Sequence, residues 1–575
     1  MQRYKSNWYT FTNTMEAPSP ESKRRRFLKG VAVAGSVGLA GCLGGDGGDD
    51  GNQSDNGSGG GGGGDDTTGG ASTAGGSRGG SLKFAQTSSP VELDPVNNNG
   101  GNYSIMLKNL VYTPVLGYDA ETNLVPLLAT EIPELDGTEF TLTLDPNATF
   151  HNGDPVTVED VKYTFEAAVE EQTSYASNFS IIENIEVVDD QTAEFSLSKP
   201  YQPILHAIAH PVAPKAIREQ DPEGFGLEEF TGSGPFEVTE FVENDHVTMA
   251  GWDDYWGTGS PNLGEVTFTP VNEPTNRVTQ LKTGEQDVIN RIPPQLWNTV
   301  KEMGDADVIE GPSLSYQFAA FNQNEGECAK RDVRLAIDHC VDLDAAVDRY
   351  IKPGGGRMYS PVPASVAEAW DMPLDEWKGM WSGKDIDRAK ELFEQAGVPD
   401  DWTCKIIVSS TEKRRQMAVS IANGIQEAGY GAEVQYLDFA TMLDQFDSGD
   451  ASKVNMYLLG WTRAPDPDRF MYELLHIDGA FQGQYYENDR FNQLLDDASS
   501  STDREARREM YIEAIELFIE DRVHLPLYYT SVSMGAKNYV KGLKPHPITT
   551  YNPYLYGDRN NTNGDTDGSN VWVDK

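Results

Sequence analysis

Positive charge is scarce in this chain. Its 575 residues include 45 Lys and Arg against 90 Asp and Glu, a formal net charge of -45. Binding to a phosphate backbone depends on clustered cations, so nucleic acid is excluded as a partner. Such a charge repels itself in dilute buffer. At about 1 M salt the screening length falls to about 3 Å, which points to a protein suited to concentrated salt. A disordered acidic chain is excluded too, because 38% of the residues are hydrophobic and 10% aromatic, and they recur in periodic blocks.

Cysteine is almost missing. There are four, with no CxxC pair. Cys328, Cys340 and Cys404 read as buried thiols, and no redox site follows. There is no HExxH. His206 and His210 in "HAIAH" have helical spacing but no third ligand, and Pro203 and Pro211 bracket them, so packed or capping imidazoles are expected. Asn563, Asp565, Asp567, Gly568 and Asp574 imitate a calcium loop without flanking helices and read as a solvated acidic tail. "GGSRG" at 75–79 matches a nucleophile-elbow pattern only inside a glycine-rich run. No nucleophile with its base stands out, so no catalytic residue, metal or cofactor is expected. No interior run reaches the roughly 20 apolar residues a membrane-spanning helix needs, and there is no fixed-period repeat.

The N-terminal segment reads as an address. "KRRRFLK" at 23–29 precedes a weakly apolar run and then "LAGC" at 39–42. Arg24 and Arg25 before Phe27 and Leu28 resemble a twin-arginine export signal. Ala40 and Gly41 before Cys42 resemble a lipoprotein cleavage box, which would place a lipid on Cys42 and anchor the chain to a membrane. Met15 is an alternative start. Residues 43–80, rich in Gly, Asp and Ser, are expected to form a flexible tether reaching about 35 Å.

Beyond the tether, alternating character predicts strands at 139–144 and 192–198. Asp385 is expected to cap a helix that buries Ala389, Leu392, Phe393 and Ala396 and stops at Gly397. A strand at 405–408, a helix at 416–428 and a strand at 433–437 make a βαβ unit. A helix at 439–446, the strand "KVNMYLLGW", a helix at 503–520 and the strand "VHLPLYY" follow, so the class is α/β.

Several blocks are more specific: "NLVPLLAT" at 123–130, "ATFHNGDPVTVEDVKYTFE" at 148–166, "GSGPFEV" at 232–238, "LKTGEQDV" at 281–288 and "DVRLAIDHCVD" at 332–342. They resemble the oligopeptide, dipeptide and nickel class of extracellular solute-binding proteins, family 5, of a haloarchaeal type, over about 82–556. The resemblance implies a two-lobe periplasmic-binding-protein-like fold (type II, cluster C) with an extra subdomain. The implied boundaries are 81–271 for the first lobe, with a subdomain at about 116–195, 272–524 for the second, and 525–575 for a return to the first lobe plus the tail. Hinge strands are implied at 265–271 and 525–529. It further implies a monomer that captures a small molecule or peptide and passes it to an importer's permease and ATPase subunits outside the cell. A surface hydrolase or a ligand-sensing receptor on the same fold are the alternatives.

The implied ligand contacts lie in "GWTRAPDPDRF", at Gly460, Trp461, Thr462, Arg463 and Asp466, with Thr87, Ser88 and Ser89 on the opposite lobe. Peptide-binding members carry an aspartate shortly after the tryptophan, where this chain has Arg463 and Ala464. Either Asp466 substitutes or Arg463 binds an anionic or hydroxyl-rich ligand. Asp466, Pro467 and Asp468 also read simply as a turn with a helix cap.

Overall fold

The computed structural model describes residues 80–98, 101–257, 261–409, 411–479, 481–553, 555 and 571–574. Arg24, Arg25, Cys42, the tether up to residue 79 and residues 563–568 of the tail lie outside the described residues. Gly80, the expected last tether residue, is instead the first residue of strand β1 (Gly80–Gln86).

Alternation produces the small elements first. Strand β2 (Glu139–Thr143) buries Phe140 and Leu142. After a turn at Gly153, whose φ of 87° suits glycine, helix α1 (Val158–Glu170) buries Val161, Phe165 and Ala168. Its start is held by Thr157, whose backbone N–H and hydroxyl both donate to the Asp160 carboxylate at 2.9 and 2.8 Å. Strands β3 (Ile182–Val187) and β4 (Thr192–Leu197) complete a separate antiparallel sheet in the order β2-β4-β3.

Apart from two short two-stranded ladders, at 116–126 and between 540–541 and 572–573, the remaining strands form one twelve-stranded mixed sheet. They are β5 (Phe236–Val242), β6 (His246–Gly251), β7 (Leu263–Pro270), β8 (Val288–Asn290), β9 (Ala306–Pro312), β10 (Tyr316–Phe321), β11 (Gly355–Arg357), β12 (Thr403–Val408), β13 (Gly431–Tyr436), β14 (Met456–Trp461) and β15 (His524–Lys537), joined by β1. Its order is β13-β12-β14-β10-β15-β8-β1-β7-β6-β5, with β9 and β11 also paired to β15. Helix α2 (Ile386–Gln395) has Asp385 as its cap, accepting from the Arg388 N–H, and Gly397 follows at φ 66°. Helix α3 (Glu412–Glu427) links β12 to β13, which run parallel, so the expected βαβ unit is present. Later helices are α4 (Pro467–Leu475) and α5 (Arg504–Glu520).

Two lobes emerge from how β15 is shared. Its first part pairs with β10 and β11, and residues from Ser531 onward pair with β9 and β8. The cores divide in the same way: Leu525, Leu527 and Tyr528 join a core with β10, β12 and β14, whereas Met534 and Ala536 join the core under β1 and β7. This moves the expected boundary. Residues 272–312 belong with the first lobe, because β8 lies parallel to β1 and β9 pairs along Ser531–Lys537. The segment 265–271 is not a hinge, since β7 sits between β1 and β6 within that lobe. The chain crosses instead at 313–315 and along β15 itself. Three-residue β8 is too short to show alternation, which is why the sequence pattern hides this pairing.

Candidate ligand-binding cleft

Between the lobes lies a cleft of about 1130 Å³, large enough for a small organic solute. The crossing segments make its floor. Ser315 Oγ and Thr530 Oγ1 are 2.9 Å apart, the Thr530 N–H donates to Ser315 Oγ at 2.7 Å, and Ser533 Oγ–H donates to the Ile292 carbonyl at 3.0 Å. The second-lobe wall is built where strands end: residues 412–416 follow β12, and Gly460–Thr462 close β14, which runs parallel to β12. Carboxyl ends of parallel strands are where α/β sheets present ligand sites.

Trp461, the last residue of β14, lines this wall. Its indole N–H donates to the Arg469 carbonyl at 3.1 Å, and Phe481 meets its ring edge-on at 4.8 Å, so the ring is held in place. Gly460 lines the wall too. A Cβ there would lie 2.5 Å from Gln317 Nε2, so glycine is what admits the Gln317 and Arg414 side chains, which are joined by Arg414 Nε donating to Gln317 Oε1 at 2.8 Å. Thr462 borders the cleft and donates to the Leu314 carbonyl at 3.2 Å.

The other expected contacts sit elsewhere. Arg463 lies 3.7 Å over the Trp461 ring, and its Nε donates to Glu473 at 3.0 Å. It lines a smaller neighbouring cavity of about 270 Å³ instead of the cleft. Asp466 lines neither cavity and is fully buried. It caps α4 by accepting from the Asp468 N–H, and Arg507 Nη2 stands 2.9 Å from both its oxygens, with His206 Nε2 at 3.4 Å. Burial opposes its charge, but Arg507 and His206 outweigh burial and hold the carboxyl well below the usual range. This is the turn-and-cap reading. Its charge is already satisfied inside the protein.

Thr87, Ser88 and Ser89 are half-buried and line neither cavity. Thr87 hydrogen-bonds the Tyr103 hydroxyl, and the Tyr103 ring lies 5.3 Å beneath the Arg291 guanidinium. The opposite wall of the cleft is therefore Arg291 and its neighbours, not 87–89. His206 and His210 have separate partners: His206 bonds the Tyr118 hydroxyl at 2.9 Å, and His210 bonds the Pro95 carbonyl at 2.8 Å.

Sequence reasoning missed Arg291, Lys413 and Arg414. The strand-end rule applied to the βαβ unit would have found the last two.

The family described as bacterial extracellular solute-binding proteins, family 5 middle, matches residues 123–482. The probable D,D-dipeptide-binding periplasmic protein DdpA of Escherichia coli (strain K12) is 25% identical over 494 residues, covering 81% of this chain and 92% of that protein. The oligopeptide-binding protein AppA of Bacillus subtilis is 23% identical over 500 residues, covering 82% and 90%. Among solved structures, the ABC transporter substrate-binding protein CtaP of Listeria monocytogenes superposes with a TM-score of 0.72 at 21% identity, over 86% of this chain and 99% of that one.

Proposed function

The chain belongs to the bacterial extracellular solute-binding proteins of family 5, and from that premise we propose that it captures a peptide or other small organic solute between its lobes and delivers it to the permease of an ATP-driven importer. The observation that carries this reading is the cleft itself. Both lobes wall it, and its floor is two crossing segments that can flex while each lobe keeps its own core. A ligand touching both walls favours the closed state through contacts that the open state lacks. Capture without turnover fits the wall chemistry, which offers hydroxyls, amides and cations beside two tryptophans, Trp461 and Trp297.

The working place of such a protein is outside the cytoplasm. On this reading Arg24 and Arg25 direct export, lipid on Cys42 holds a monomer at the membrane, and the acidic surface suits a salt-rich habitat. Among the described residues, no helix is long and apolar enough to cross a membrane.

Trp461→Ala tests the site. Its expected effect is a ten-fold or greater loss of ligand affinity, about 1.4 kcal/mol, with an unchanged circular dichroism spectrum. Calorimetry showing wild-type affinity in this variant would place the site elsewhere, and chemical change in any bound ligand would overturn capture without turnover.

A further inference from the structure

The cleft reverses the charge balance of the chain. Acids outnumber bases two to one in the sequence, yet of the five charged side chains lining the cleft, Arg291, Lys352, Lys413 and Arg414 are basic and Glu412 alone is acidic. Glu412 is exposed and turned along its own helix, accepting from Gln416 Nε2 at 3.0 Å with Arg415 at 3.7 Å. Lys352 is paired with Asp348 at 2.6 Å.

The other three cations have no carboxylate partner among the described residues. Arg414 donates to Gln317 Oε1 at 2.8 Å and, through Nη1, stands 3.4 Å from Ser409 Oγ. Lys413 donates to the Gly354 carbonyl at 3.1 Å. The Arg291 guanidinium rests over the Tyr103 ring. Behind Arg291 lies Arg277, buried and, among the described residues, bonded to the carbonyls of Val271, Asn272, Asn290 and Arg291. Burial pulls both Lys413 and Arg414 below their ordinary ranges, and no carboxylate counters it. In a protein this acidic, cations left to carbonyls and amides around one cleft indicate that their counter-charge comes from outside.

Their placement adds a second constraint. Arg291 stands on the first lobe, and Lys413 and Arg414 stand on the second. Closing the lobes brings like charges together, and an anion lying between them turns that repulsion into attraction. The one carboxylate on the cleft, Glu412, is exposed and turned toward Gln416 and Arg415 of its own helix, and Asp466 is already satisfied by Arg507 and His206, so an ammonium group finds no buried carboxylate waiting for it there.

We propose that the cleft selects a small organic anion with at least two acidic groups, carboxylate or phosphate, one held by Arg291 and the other by Lys413 and Arg414, and that a free amine on the ligand is dispensable. This rests on the solute-binding reading above and names the chemistry of its ligand.

The test is calorimetric titration of the full chain with four probes at one fixed salt concentration: N-acetyl-Glu-Glu, its uncharged counterpart N-acetyl-Gln-Gln-amide, the amine-bearing, acid-free peptide Gly-Gly-Gly-amide, which is cationic near neutral pH, and fructose 1,6-bisphosphate. The expected result is binding of one or both polyanions at least ten-fold tighter than either uncharged-acid probe, and the stronger of the two identifies carboxylate or phosphate as the preferred group. Arg291→Gln and Arg414→Gln should each weaken that binding ten-fold or more at unchanged melting temperature, with Arg414→Lys recovering part of the loss. Tighter binding of the neutral or amine-bearing probe, or polyanion binding indifferent to both glutamine variants, overturns the anion assignment and leaves solute capture standing. If no probe binds, the anion assignment falls alone, and solute capture is decided separately by whether any other solute binds the wild-type chain and loses affinity in Trp461→Ala.

Discussion

Without the Asp466 carboxylate, Arg507 would keep the Ala498 carbonyl and the Tyr511 hydroxyl but lose the carboxylate that stands 2.9 Å from its Nη2 in the core. A buried ion pair adds little when intact, yet breaking one side strands the other, at a cost of about 3–5 kcal/mol. Asp466→Ala should therefore lower unfolding free energy by roughly that amount in urea titrations. A loss below about 1 kcal/mol would mean that the pair is solvated after all. The same reasoning separates Asp466 from Trp461, whose ring closes a wall and whose removal should be felt by the ligand more than by the fold.

The opening turn of α4 carries two buried carboxyls, Asp466 and Asp468, two residues apart. Burial, and then the charge of Asp466, push Asp468 up to about 7 from 3.8. The folded protein thus keeps a proton that the unfolded chain releases near pH 4. The stabilising contribution of Asp468 is complete below the unfolded value and is lost as pH rises through about 7. Asp468→Asn should flatten the fall in melting temperature between pH 4 and 7 relative to wild type, and an identical slope would contradict the assignment. Elements of this kind were legible in part. Asp466 to Asp468 read correctly as a possible cap because Pro467 at the first helical position is a local signal, whereas the partners Arg507 and His206 arrive from distant segments that no local pattern connects. Helix α2 and the order of the β12-α3-β13 unit were legible, since their apolar spacing is regular, but α3 begins at Glu412, four residues before the expected start, in the turn that carries Lys413 and Arg414. Arg414 was not, because adjacent arginines at the start of a helix look like a solvated face until Gln317 and Gly460 are placed beside them. Thr87 to Ser89 were assigned to a wall by analogy, while the wall itself came from Arg291, whose position depends on the pairing of three-residue β8.

At the scale of the whole molecule, the net charge of -45 is the dominant quantity. On the proposed adaptation to concentrated salt, screening is what keeps this charge compatible with compact lobes, so dialysis from molar salt into dilute buffer is expected to unfold the protein, with loss of the far-ultraviolet circular dichroism signal. A spectrum unchanged between the two conditions would remove the link to a salt-rich habitat. Strand β15 carries a different consequence. Every strand that pairs with it, from β8 to β11, precedes it in the chain. On the ribosome, the second lobe's sheet waits for residues 524–530 and the first lobe's for 531–537, so the nascent polypeptide stays an open, unfinished scaffold until both halves can be completed within a few residues of each other, late in synthesis.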